Sequence, residues 1–417
     1  MNDAPLEPMP GPSPLTRALL DRLAEAAPVR SRQPDYETEP GLYIDRGLWK
    51  KLLVTAAERT TTRRFGRYFL ATQAIFAGLR GAVIGARALD DVLFPGWRDQ
   101  PIEEPVFIFA NARSGTTLLH RLMSLDEERF TYSRLYETLF HAVCVHRVID
   151  AVAAADQTIG GGVLRRVVDE IDDRVFGFWR DIHPMGLYQA EEDEGYFLYS
   201  LYTPGLYPLW PYVRGFEAAS WLDDQPPAVR ERVMTDFEGA IRRLLYVQGR
   251  GRTLLSKSVF MPGRIHSFID HFPDARFVYP VRHPYEAVAS FVSMITAVWT
   301  QHSPEVPHDN LDAQALGDIA VRFYRHGWDA RKRVAPSQWR TLRYTDLVAD
   351  PRRTVLDIYA HFGMKPSPGY LARLDAETAK ARQYRSKHRY TLADFGLDKE
   401  RIVEPLRDVF DELGFAP

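Results

Sequence analysis

An α/β fold of three layers (α/β/α), with helices on both faces of a central parallel sheet, is what this sequence predicts. Two patterns carry the prediction. Short β-rich runs at 105–110, 253–256, 276–281 and 339–344 are each followed by a helical stretch, at 116–124, 263–271, 286–299 and 352–361. Such alternation builds parallel sheets. Helix start signals fall where runs end: Pro284 suits a first turn after one strand, and Asp350 with Pro351 opens another helix. At 417 residues the chain has ample interior for one large domain or two.

Taken in order, residues 1–14 are proline-rich, lack the basic and apolar regions of a signal peptide and read as disordered. Residues 15–100 read as a helical N-terminal layer. Within it Phe69, Phe76 and Val83 share one helical face while Gln73, Arg80 and Arg87 line another, which predicts an amphipathic helix. Its longest uncharged run, Tyr68 to Leu79, has 12 residues, too few to span a bilayer. A helix packed on the sheet is therefore expected, with attachment to a membrane surface as the alternative. Residues 101–417 read as one α/β domain with a helical insert at about 150–250 on the acceptor side. That insert is aromatic-rich: 176–221 holds 13 Phe, Trp or Tyr in 46 residues, a density that serves either a core or a flat-walled acceptor site. Four adjacent acids, Glu191-Glu192-Asp193-Glu194, suit a solvated turn or one wall of the acceptor cleft.

The first strand run enters the loop Asn111-Ala112-Arg113-Ser114-Gly115-Thr116-Thr117. A strand–loop–helix turn of this kind aims consecutive backbone N–H groups and a helix N-terminus at one point, where an anion binds. Thr116 and Thr117 add hydroxyl donors and Arg113 a permanent positive charge. The loop is P-loop-like without being a Walker A motif. Thr116 stands where the lysine after the glycine belongs, and Ala110 where the first glycine belongs. At the third run, Arg282 lies at the strand's carboxyl end and Ser290 follows inside the next helix. Ligands of open parallel sheets collect at the carboxyl ends of strands, so both junctions open onto one crevice. Thr253 to Ser258 supplies another strand end, carrying Lys257.

These segments resemble the sulfotransferases that use 3′-phosphoadenosine-5′-phosphosulfate (PAPS), particularly the bacterial and tyrosylprotein members. The family's 5′-phosphosulfate loop reads P-R-S-G-T-[ST], and Ala112 stands here in place of its usual proline. The resemblance implies that Arg113, Ser114, Gly115, Thr116 and Thr117 hold the 5′-phosphosulfate. It implies that Arg282 and Ser290 hold the 3′-phosphate and that Lys257 touches the transferring sulfuryl group. The basic run Arg382 to Tyr390, ahead of Asp394-Phe395-Gly396-Leu397, is similar to the segment with which bacterial members close over the 3′-phosphate. Lys387 and Arg389 enter the candidate site on that ground. Glu137 falls at a place comparable to the catalytic glutamate of tyrosylprotein sulfotransferases and is the candidate general base. His120, on the helix behind the loop, is a second candidate and reads as a brace. The resemblance spans 105–140 and 250–400.

A formal net charge of −2 excludes general nucleic-acid affinity. The single cysteine, Cys144, excludes an intrachain disulfide framework and points to a reducing, cytoplasmic compartment. The 12 histidines are scattered, and neither His141 nor His146 has a carboxylate motif around it, so no metal is expected. Sulfuryl transfer, like phosphoryl transfer, demands mainly positioning and charge stabilisation, which amides, an arginine and a lysine supply. The acceptor is then a hydroxyl or amine of a small molecule, lipid or glycan, with membrane contact peripheral and not spanning. Two rivals make different predictions. A nucleotide kinase-like phosphotransferase with a degenerate loop would bind ATP with Mg²⁺. A non-catalytic lipid- or partner-binding protein on the same fold would be indifferent to loss of Glu137 and Lys257.

Overall fold

Val106, Phe107, Ile108 and Phe109 are all fully buried, as befits a strand covered on both faces. This strand, β1 (Val106–Phe109), is the centre of a sheet completed by β2 (Phe130–Thr131), β3 (Thr253–Ser258), β4 (Arg276–Val281) and β5 (Trp339–Arg343). The order is β2-β3-β1-β4-β5 and every pair is parallel. The structure is a computed structural model describing residues 42–59, 62–182, 186–249, 251–304, 306, 309–381 and 391–417. Four of the strands fall on the predicted runs. The fifth, β2, is two residues long, too short to leave a periodic trace in the sequence.

Helices Thr116–Ser124, Ile265–His271, Pro284–His302 and Pro351–His361 follow the strands as expected. The second starts late because Met261–Arg264 forms a 3₁₀ turn ahead of it. The third starts at Pro284 itself, whose missing N–H costs nothing in a first turn. Side chains alternate across the sheet into two cores. Phe107, Phe277 and Tyr279 pack with the Pro227–Gln248, Ile265–His271 and Leu311–Ala330 helices. Ile108, Leu255 and Val278 pack with Leu119, Val355 and Tyr370 on the opposite helices.

The larger core also takes in the N-terminal layer, Arg46–Arg59 and Arg63–Leu93, through Leu52, Phe69, Phe76 and Val83. The aromatic insert lies beneath it. Phe65 meets Tyr212 edge-on at 5.6 Å, Phe69 meets Trp210 at 5.9 Å and Phe76 meets Tyr199 at 5.9 Å. Tyr196, Tyr207, Phe216 and Trp221 are buried as well, so these rings form core and not an open wall. The polar face of the long helix is fastened inward too: Arg80 donates to the Leu42 carbonyl and Arg87 faces Asp236 at 3.8 Å. Counting uncharged residues therefore understated its apolar outer side, where Leu70, Ile75, Leu89, Val92 and Leu93 are exposed. By length and composition the helix is long and apolar enough to cross a membrane.

Candidate functional site

The loop after β1 turns through two left-handed residues, Arg113 at φ +65° and Gly115 at φ +85°, before Thr116 opens its helix. Backbone N–H groups presented in such a turn and at a helix N-terminus form an anion-binding concavity. Gly115 is fixed by space as well as by φ. A Cβ there would lie 2.9 Å from Leu347 Cδ2 and 3.0 Å from the Tyr344 ring. Asn111 ties the loop down by donating to the Ala320 carbonyl at 2.7 Å. Thr116 is buried and Thr117 half-buried.

Arg282, beyond the end of β4, reaches this loop. Its Nη1 donates to the Arg113 carbonyl at 3.0 Å, its Nε to Glu286 at 2.7 Å, and its guanidinium lies 4.9 Å from the centre of the Tyr344 ring. The Tyr324 hydroxyl secures the Arg282 carbonyl at 2.8 Å. Ser290 sits in the second turn of the following helix, 9% exposed. The two strand ends thus face one another as the motif spacing required. His120 is buried with Nε2 3.4 Å from the Leu255 carbonyl. Burial, with Lys257 nearby, pushes it down to about 3. A ring that stays neutral ties the helix after the loop to the β3 backbone.

Lys257 comes to the same place from β3, where it pairs in register with Ile108. Its side chain is 1% exposed, and Nζ lies 3.4 Å from Thr117 Oγ1, 3.2 Å from Glu192 and 3.8 Å from Glu191. The acidic run is no solvated turn. The Asp193 N–H donates to the Lys257 carbonyl at 3.1 Å and the Glu191 N–H to the Ser133 carbonyl at 2.9 Å, which lays the run beside β3. Each of its carboxylates then meets a polar partner: Glu191 and Glu192 meet Lys257, Asp193 meets Ser256, and Glu194 meets Ser258 and Arg264. Burial raises the Asp193 carboxyl to about 7 despite the Ser256 bond. The sequence marks only the β3 half of this pairing, where Ser256-Lys257-Ser258 closes an otherwise apolar strand.

Glu137 lies elsewhere. It closes a capping box, with the Arg134 N–H donating to Oε2 at 2.7 Å. Gln248 Nε2 donates to Oε1 at 2.6 Å and the Tyr136 hydroxyl at 3.2 Å. Gln248 ends the helix that precedes β3, so this carboxylate is tethered near the strand's amino end. Burial raises its proton affinity. Lys387 and Arg389 lie outside the described residues.

A family model described as "Sulfotransferase family" matches residues 105–368. A relative from Mycobacterium bovis, described as omega-hydroxy-beta-dihydromenaquinone-9 sulfotransferase Stf3, is 27% identical over 317 residues, covering 74% of this chain and 73% of its own. A relative of the same description from Mycobacterium tuberculosis matches to the same extent. Among solved structures, sulfotransferase STF9 from Mycobacterium avium superposes with a TM-score of 0.67 at 18% identity, over 95% of this chain and 96% of that one. Sulfotransferase STF1 from Mycobacterium tuberculosis gives 0.58 at 21% identity, over 94% and 98%. These likenesses are of fold.

Proposed function

The chain belongs to the sulfotransferase family, and from that premise we propose that its crevice seats PAPS on the β1–β4 side and a lipid alcohol on the β3 side. The enzyme moves a sulfuryl group from PAPS to an acceptor hydroxyl or amine, which displaces the phosphotransferase and non-catalytic readings. PAPS supplies the sulfuryl group and departs as adenosine 3′,5′-bisphosphate. The donor set suits such an anion: loop amides, the hydroxyls of Ser114, Thr116 and Thr117, and the cations Arg113, Lys257 and Arg282. In this reading Arg113 to Thr117 hold the 5′-phosphosulfate, Arg282 and Ser290 hold the 3′-phosphate, and Lys387 and Arg389 close over it.

One observation carries the assignment of the chemistry. Lys257 touches both the anion loop, at Thr117, and a carboxylate of the acidic run, Glu192. Placed so, its ammonium neutralises charge developing on the leaving oxygen during in-line transfer. The carboxylate 3.2 Å from that ammonium supports a proton acceptor beside the transferring group. We therefore assign the general base to Glu192 and give Glu137, the base suggested by resemblance, the task of capping its helix. The proton passes from the acceptor oxygen to Glu192 as the new oxygen–sulfur bond forms.

The lipid acceptor rests on two supports. The Mycobacterium bovis relative is described as acting on a hydroxylated menaquinone. The outer face of Arg63–Leu93 also offers this chain an apolar surface, with Val148 and Val152 exposed on the neighbouring Val143–Thr158 helix. We place the enzyme in the cytoplasm, resting peripherally on a membrane. The test is sulfuryl transfer from labelled PAPS in chelator, with a total lipid extract offered against soluble phenols and sugars. Label in a lipid of hydroxylated tail is the expected outcome; transfer confined to soluble acceptors overturns the lipid assignment.

A further inference from the structure

Asp223, His266 and His326 are far apart in the sequence, and the expectation of scattered histidines fails for this pair. The three converge where the loop after Glu217–Ser220 meets the start of Ile265–His271 and the side of Leu311–Ala330. One donor atom from each lies within 4.8 Å of the others, and all three residues are half-exposed or buried deeper. His326 Nε2 is 2.9 Å from Asp223 Oδ2. The imidazole centres of His266 and His326 are 4.2 Å apart with the rings tilted by 45°.

The carboxylate is held in place before anything binds. Oδ2 accepts the His266 N–H at 2.9 Å, and Oδ1 accepts the Ser267 N–H at 2.8 Å and its hydroxyl at 2.6 Å. A carboxylate that caps a helix and receives one imidazole would account for Asp223 and His326 alone. It leaves His266 unexplained, because His266 Nε2 is buried without a hydrogen-bond partner. An unpartnered imidazole nitrogen beside a second imidazole and a fixed carboxylate suits the donor set of a borderline-soft divalent ion.

We propose that Asp223, His266 and His326 form a binding site for a divalent transition metal of the zinc class, with a fourth position open to water. The ligand set is two imidazoles and one carboxylate, and the Ser267 bonds orient the carboxylate from behind. Binding through His326 Nε2 moves its ring proton to Nδ1. The facing cations are already engaged: Arg230, 4.0 Å from Asp223, pairs with Asp270 at 2.8 Å, Arg333 pairs with Asp270 and Arg322 with Asp224. Occupied, the site ties the Leu311–Ala330 helix to the turn whose Arg264 grips Glu194 of the acidic run. It is independent of sulfuryl transfer, which the anion crevice performs.

The experiment uses untagged full-length protein, stripped with chelator and desalted, titrated with Zn²⁺ by calorimetry and with Co²⁺ in the visible. One equivalent of Zn²⁺ is expected, with Co²⁺ bands of four-coordinate intensity. The thermal midpoint should rise by about 3 °C at metal near a hundred times Kd. His266→Gln and His326→Gln keep side-chain hydrogen bonding and should each weaken Zn²⁺ binding about tenfold or more. Binding of adenosine 3′,5′-bisphosphate by both variants verifies that they fold. Stoichiometry far below one, or unchanged Zn²⁺ affinity in both folded variants, overturns the site.

Discussion

The two banks of the crevice are built from different materials. On the donor bank, the β1 loop makes its anion site largely from backbone, and Arg282 joins it by a bond to a backbone carbonyl. That arginine is 24% exposed at its side chain, and its partner Glu286 is 58% exposed. On the acceptor bank, the charges are side chains packed out of water, Lys257 at 1% against Glu191 at 5% and Glu192 at 12%. A backbone-built, half-wet site loses affinity in increments when one side chain goes. A buried charge cluster loses its balance when any member goes, because the remaining charges are left without compensation. Donor binding and turnover should therefore separate under mutation.

The largest separation is expected at Lys257. Lys257→Ala should lower single-turnover transfer by about a hundredfold or more, while affinity for adenosine 3′,5′-bisphosphate, which keeps the leaving oxygen, falls by only about tenfold. Equal losses in calorimetry and turnover would make the two banks one site. Next comes the pair of glutamates. Glu192→Gln should cut kcat by about a hundredfold. Glu137→Gln should leave kcat within about threefold and lower unfolding free energy by about 1 kcal/mol, because its amide NH2 faces a donor, the Arg134 N–H or Gln248 Nε2, where a carboxylate oxygen accepted. The reverse pattern in paired kinetics and denaturation would return the base to Glu137. Smaller again is Arg282→Ala, where loss of charge-assisted bonds worth about 1.5–3 kcal/mol predicts about ten- to a hundredfold weaker binding of the bisphosphate nucleotide. The loss should shrink as salt rises, and calorimetry in chelator at two ionic strengths checks both statements.

The same division explains what could be read from the chain beforehand. Four strands and their following helices were legible because each depends on residues close in sequence, and the Arg113–Arg282 meeting because both residues follow the carboxyl ends of parallel strands. The local signals are a glycine at positive φ, a proline in a first turn and an apolar run of strand length. The role of the acidic run was not legible. Nothing local distinguishes Glu191-Glu192-Asp193-Glu194 from a solvated turn until the chain lays it against Ser256, Lys257 and Ser258. Glu137 is the complementary case. Its position after the first helix suggests a base, and nothing local shows that its carboxylate accepts from Arg134 and Gln248. Convergence of Asp223, His266 and His326 is likewise a property of three elements and of no spacing.

The smallest effect sharpens the electrostatic half of the comparison. Asp193 sits in the acceptor bank, yet its carboxyl meets Ser256 and not the Lys257 ammonium. Burial raises it to about 7, whereas an unfolded aspartate titrates near about 3.9. The fold thus favours the protonated form. Its contribution is complete below about pH 4 and is lost as pH rises through about 7. Asp193→Asn keeps the shape and removes the titration. The thermal midpoints of variant and wild type should coincide near about pH 4 and diverge upward for the variant by a few degrees near about pH 8. Turnover should stay within about threefold, because no proton passes through this carboxyl. Parallel midpoint curves across that range would mean that Asp193 is charged in the fold. The acceptor bank would then carry one more negative charge than its packing implies, and Lys257 would have to balance it.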